Sequence, residues 1–280
     1  MIDNNGSVVL SPHSELDAAV EREPISVSGL EFDVLWEHLQ LGPMPLVVKV
    51  PSPGKTYEER ATLEQQAWSD LEARGLGRPV AVHPDIEYVL RLLARPEREV
   101  DARAWVDRNL RLIVAADGDE AGYAVLSDDQ LTLRRTSASG LASTAVGLLP
   151  SKPAGPGQSV SLRSEDFEAA ANSAGGTQDG FRAALRKRGI RGDDADALAD
   201  MINDVQGTGN FGAAARDRLD RRQRADRVVS FFDTEAGRYV QIRRASPDGN
   251  LWTTISPADS RKLVQHVDQL LSEIVRTVEE

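Results

Sequence analysis

Two stretches, Asp117–Val125 (D-G-D-E-A-G-Y-A-V) and Asp233–Gln241 (D-T-E-A-G-R-Y-V-Q), read almost alike. Each follows an apolar run, Leu110–Val114 and Val228–Phe232, and each leads into a further strand-like stretch, a turn, another stretch and a helix. Upstream, Ser26-Val27-Ser28 opens the first half and Ser159-Val160-Ser161 the second. A repeat of about 120 residues is too long for a solenoid unit and suits a duplicated subdomain, two copies of which share one sheet.

Outward from these stretches, strand patterns occupy 99–107, 110–116, 121–127 and 130–136. Arg108-Asn109, Asp117-Gly118-Asp119 and Ser127-Asp128-Asp129 are the turns between them. Connections this short join only antiparallel neighbours, so the segment is a four-strand meander. A second set lies at 208–216, 227–233, 238–244 and 250–255, and Leu46–Val50 reads as one more strand. Capping boxes at Ser28/Glu31 and Thr56/Glu59 start two helices, and Pro84 starts a third that Pro96 ends. Further helices fit 139–149, 164–173, 178–187 and 193–204. The last is expected to start with Ser256 as N-cap and Pro257 at its first position. It buries Leu263, Val267, Leu270, Leu271, Ile274 and Val278, a period of about 3.6.

The expected organisation is a flexible tail at 1–22, a first half at 23–149, a Pro/Gly linker at 150–158 and a second half at 159–280. The two halves form one domain. The fold class is α+β, with pseudo-twofold duplicated subdomains around a central, largely antiparallel β-sheet.

Composition narrows the function. A net charge of -11 and a pI near 5.0 disfavour nucleic acid and anionic membrane surfaces. With no cysteine there are neither disulfides nor thiolate metal sites. No stretch approaches the roughly 18 apolar residues of a membrane span, and Met1–Asn5 does not begin a signal peptide. A cytoplasmic location is the expectation.

Patterns that suggest chemistry have simpler readings. Gly207–Gly212 matches G-x-G-x-x-G, but a helix precedes it and a strand follows, the reverse of a dinucleotide site. His13, His38, His83 and His266 are scattered, His83 as the cap before Pro84. Asp193, Asp194, Asp196 and Asp200 sit on the first turns of a helix, where its dipole favours them. Six arginines and three aspartates alternate through Arg216–Arg227, which forms either a solvated hairpin or a docking patch for an acidic partner. No catalytic, metal-binding or cofactor-binding residues emerge.

The chain resembles the EspG family of type VII (ESX) secretion chaperones, over roughly 25 to 275. The resemblance is carried by Leu41–Val48 (L-G-P-M-P-L-V-V), Leu71–Leu76 (L-E-A-R-G-L) and, most of all, His83–Asp85 with Leu90–Asp101 (L-R-L-L-A-R-P-E-R-E-V-D). It implies a sheet flanked by two helical bundles and a cytosolic, non-enzymatic chaperone without cofactors. The implied partner is the apolar tip of the PPE protein in a PE–PPE heterodimer, with no nucleic acid, membrane or small-molecule substrate. The family's contact surface is a loop between two early sheet strands plus the C-terminal bundle. Here that loop is the short Val106–Asn109, with Asp107, Arg108 and Asn109 as candidate contacts. In the helices at 178–204, Phe181, Leu185, Ile190, Leu198 and Met201 are either docking residues or bundle packing. Two rival readings are an enzyme with a site between the halves, using His266 and Asp233, and an immunity-like binding protein.

Overall fold

A computed structural model describes residues 23–280, so the tail at 1–22, with His13, lies outside the described residues. Strand β1 (Ile25–Ser28) runs into helix α1 (Gly29–His38) through the capping box: Glu31 N–H donates to Ser28 Oγ, and Ser28 N–H donates to the Glu31 carboxylate. Thr56 and Glu59 cap α2 (Tyr57–Ala73) in the same way. A small hairpin, β2 (Gly77–Arg78) and β3 (Ala81–Val82), precedes α3 (Pro84–Ala94), where Asp85 N–H donates to His83 Nδ1. The meander follows as β4 (Arg98–Trp105), β5 (Asn109–Asp117), β6 (Glu120–Ser127) and β7 (Gln130–Ser137), then α4 (Leu141–Gly147).

The second half starts with β8 (Val160–Arg163) and three helices, α5 (Ser164–Ser173), α6 (Gln178–Lys187) and α7 (Gly192–Met201). Strands β9 (Val205–Arg216), β10 (Arg222–Arg224), β11 (Val229–Thr234), β12 (Gly237–Ala245) and β13 (Leu251–Pro257) lead to α8 (Ser260–Glu279).

All strands except β2 and β3 join one sheet in the order β1-β7-β6-β5-β4-β9-β11-β12-β13-β8, with β10 paired to β9. Each half contributes a meander bounded by its own first strand. The halves meet where β4 and β9 pair antiparallel, Ala102 opposite Phe211.

One face of the sheet carries a single core. Val100, Leu112 and Val114 from the first half and Phe211, Phe231 and Val240 from the second pack beneath α4 and α8. On the other face the cores are separate. Ile113, Leu126 and Leu133 hold α1 and α3, whereas Leu162, Tyr239 and Ile255 hold α5, α6 and α7. Helix α2 buries only Ala67 and Leu71, and ion pairs fasten it to α1: Arg60–Asp33 at 2.6 Å and Arg74–Glu31 at 2.5 Å.

The paired stretches that open the sequence occupy matching hairpins but are out of step. Asp117 pairs with Glu120 across the first turn, and Thr234 pairs with Gly237 across the second. Tyr123 is therefore the fourth residue of its strand and Tyr239 the third of its own, and alternation sends them to opposite faces. Tyr123 enters the shared core and Tyr239 the core of the second bundle.

Two expected elements differ. Leu46–Val50 forms no strand: Val48 N–H closes a turn onto the Pro45 carbonyl, and Val47, Val48 and Val50 are buried from a loop. Prolines at 43, 45 and 51 flank the segment, fixing φ on both sides and leaving only five residues between them. The last helix begins at Ser260, not after Ser256. Ser256 is buried in β13 opposite Val240, and Asp259 is the true cap, accepting from Lys262 N–H at 2.8 Å.

The Pro/Gly segment 150–158 is tied down along its length. Ala154 bridges to Arg238, the Tyr239 hydroxyl donates to the Pro156 carbonyl, and Lys152 Nζ donates to the Thr234 carbonyl. Any side chain at Gly155 would overlap the Tyr239 ring, so this position needs glycine for close approach. Beneath this strap Arg238 is fully buried and pairs with Asp233 through two hydrogen bonds of 2.7 and 2.9 Å.

Candidate functional site

Between the two bundles the sheet face is open and polar. Its floor is Arg103 and Trp105 on β4, Thr208 and Asn210 on β9, Ser230 on β11 and Gln241 on β12. Gly207–Gly212 lies within β9, so the glycine pattern belongs to a strand. At Gly209 a Cβ would overlap Phe231, and at Gly212 it would overlap Arg224. These glycines serve packing within the sheet.

The arginine-rich segment is a hairpin whose arginines are consumed internally. Crossing over Gly212, Arg224 reaches Asp101 at 2.5 Å, and Arg222 reaches Glu99 at 2.5 Å. Both carboxylates lie on β4, so the pairs bind the second half to the first. Arg216 donates to the Pro96 carbonyl, Arg218 to the Glu279 carbonyl, Arg221 pairs with Asp217 and Arg227 with Glu273. The segment is thus a hairpin in which each of the six arginines is held by a carboxylate or a backbone carbonyl.

At one end of the sheet the β4–β5 connection is three residues long, Val106–Arg108. Val106 N–H donates to the Arg108 carbonyl, and Asp107 adopts a positive φ of 70°. Asp107, Arg108 and Asn109 are exposed, while Val106 is buried. Trp105, at the base of the loop, is 52% exposed.

The second bundle places the other candidate residues. Phe181, Leu185, Leu198 and Met201 are buried and Ile190 is half-buried against the same core. They face inward because the period that aligns them is the period of a helix face seeking burial. Phe181, Leu185, Leu198 and Met201 pack the bundle's interior, and Ile190 stays partly exposed at its margin. What the bundle presents outward is a groove of about 920 Å³ between α5 and α6, lined by Ala169, Ser173, Gly180, Ala183 and Ala184 with Lys187 and Arg188 among its polar lining residues. No simple sequence signal marks this groove, because small exposed residues have no periodicity of their own.

His266 and Asp233 are not brought together. Asp233 is engaged by Arg238, whereas His266, half-buried on α8, faces Lys262, Arg244 and Arg227. Burial first, then these cations, hold its pKa below the ordinary value. The unfolded chain therefore binds more protons as pH falls through the ordinary histidine range, and stability is lost in that window. We expect His266→Gln to flatten the fall in denaturant midpoint between about pH 7.5 and pH 5.5. An unchanged pH dependence in the variant would refute this.

Among the described residues, no group of His, Cys, Asp and Glu is arranged to hold a metal, and no helix is long and apolar enough to cross a membrane.

The EspG family model matches residues 28–269 of the chain. The fold is similar to that of the Mycobacterium tuberculosis type VII secretion system chaperone EspG5, solved in complex with the PE25-PPE41 dimer. That similarity has a TM-score of 0.69 at 19% identity and covers 89% of this chain and 96% of the other. No curated protein matches the chain significantly. With the match running from Ser28 in the first helix cap to Gln269 in the last helix, the chain belongs to the EspG family.

Proposed function

We propose that this protein is a cytoplasmic, non-enzymatic chaperone of type VII secretion. It binds the apolar tip of the PPE protein in a PE–PPE heterodimer, keeps the pair soluble and directs it to its secretion system. The observation that carries this reading is membership of the EspG family over nearly the whole described chain, together with the fold shared with a chaperone solved on a PE–PPE dimer.

The geometry supports it. Shielding an apolar tip requires an accommodating surface with a polar rim and requires no cofactor. The groove between α5 and α6 has that character, its floor built of small side chains among polar ones. The exposed loop residues Asp107, Arg108 and Asn109 supply the second contact region. In this reading Phe181, Leu185, Ile190, Leu198 and Met201 act from beneath, setting the shape of the helices that form the groove.

Co-expression with PE–PPE pairs tests the function. The expected result is that at least one otherwise insoluble pair becomes soluble and co-purifies with the chain in a stable complex. If no pair is solubilised or retained across a representative set, the chaperone reading fails.

A further inference from the structure

The β4–β5 loop is too short to project far from the sheet, but the sheet floor at its base sets exposed apolar side chains among cations. Trp105 is 52% exposed and Leu46 is 77% exposed. Around them lie Arg103, whose Nη2 donates to the Leu46 carbonyl at 2.8 Å, and Arg111, whose Nη1 donates to the Lys49 carbonyl at 3.2 Å. Arg103, Trp105, Arg111, Thr208 and Asn210 line a shallow pocket of about 220 Å³. Lys49 and Arg108 are exposed nearby.

None of Lys49, Arg103, Arg108 and Arg111 pairs with a carboxylate among the described residues. This contrasts with the Arg216–Arg227 hairpin, where the carboxylates of Glu99, Asp101, Asp217 and Glu273 answer the arginines. The carboxylates closest to these four cations along the chain and on the same face are taken up elsewhere, Glu99 and Asp101 by Arg222 and Arg224, and Asp33 and Glu37 by Arg60, so on a protein of net charge -11 the area is locally basic. Arg103 and Arg111 are fixed to backbone carbonyls, which holds them in place without neutralising them. A guanidinium so positioned beside an exposed indole suits a partner segment that offers both an apolar side chain and carboxylates.

We infer that this island around Trp105 is a docking site for an acidic, apolar-tipped segment of the captured PPE protein, and that it takes the place of a longer β4–β5 loop. The inference rests on the proposed function and adds the chemistry of the partner: an apolar side chain over Trp105, flanked by carboxylates that meet Arg103 and Arg111. The area lies across the open floor from the α5–α6 bundle, so the partner bridges the second bundle and the island.

The test uses the full chain and a PE–PPE pair that it captures in co-expression. Affinity is measured at about 0.05 M and about 0.3 M salt. The wild type should weaken with salt. Arg103→Glu with Arg111→Glu should weaken capture about tenfold or more and flatten the salt dependence. Trp105→Ala should weaken it about tenfold. The control is Arg261→Glu with Arg276→Glu, which changes net charge equally on α8, against the other face of the sheet. It should leave capture unchanged, and thermal melts confirm that each variant is folded. If the wild type captures a pair but the island variants bind it as tightly and with the same salt dependence, the island is not the docking site and the chaperone function stands. Equal weakening by the α8 control also overturns the island, since the effect is then long-range charge. If the wild type captures no pair, the function itself fails and the island falls with it.

Discussion

Asp233→Ala should destabilise the protein by about 3–5 kcal/mol, the largest loss expected from changing a single polar side chain. The substitution leaves the Arg238 guanidinium, fully buried, with only the Pro150 carbonyl and the face of the Phe231 ring for company. The damage should not remain local. Arg238 N–H donates to the Pro153 carbonyl, and the Arg238 carbonyl accepts from Gly155 and Ala258 N–H, so one residue organises the strap and the approach to α8. Replacing both partners, Asp233→Leu with Arg238→Met, should recover most of the loss, because an apolar pair of similar volume avoids the cost of an uncompensated charge. Urea denaturation midpoints of the three proteins decide the matter. A loss below about 1 kcal/mol in the single variant would show that water reaches the guanidinium.

Phe181→Ala should cost about 3–5 kcal/mol as well, by leaving a cavity where Phe181 meets the edge of Phe167 at a centroid distance of 5.8 Å. Partner capture should decline with it, in proportion to the unfolding of α5–α7. Ala183→Arg on the groove lining should do the reverse, changing stability by no more than about 0.5 kcal/mol while abolishing capture. Parallel melts and co-purification separate the two outcomes. If Ala183→Arg still captures the partner normally, the groove is not a contact surface.

This contrast explains what was legible in the sequence. Local signals transferred well: both capping boxes, His83 before Pro84 and the short turns of the meander need only neighbouring residues to work. The same confidence does not extend to surfaces. Phe181, Leu185 and Leu198 stand out in the sequence because they are large, apolar and periodic, which is what qualifies a residue for the interior. The groove above them is made of alanine, serine and glycine, which carry no pattern.

Long-range pairing accounts for two further misreadings. Ser256-Pro257 has the local chemistry of a helix start, but β12 claims both residues for the sheet. The near-repeat at Asp117 and Asp233 falls on two hairpin turns, but it hides a step in register between them that only pairing partners reveal. Trp105 reads as an ordinary β-strand residue, and its exposure follows from where the two bundles stop.

The pairing of β4 with β9 also bears on the order in which the chain is made. Synthesis delivers Arg98–Trp105 well before Val205–Arg216, so a first half that folds as it emerges ends in an open strand for the time the ribosome needs to add about 100 more residues, on the order of 5–20 s. An unpaired strand of that length invites misassociation with other nascent chains. β4 presents Glu99, Asp101 and Arg103 along one of its faces, a charged fringe that strangers cannot bury cheaply. When the second half arrives, Arg222 and Arg224 neutralise the first two of these guards, and the sheet accepts its own continuation.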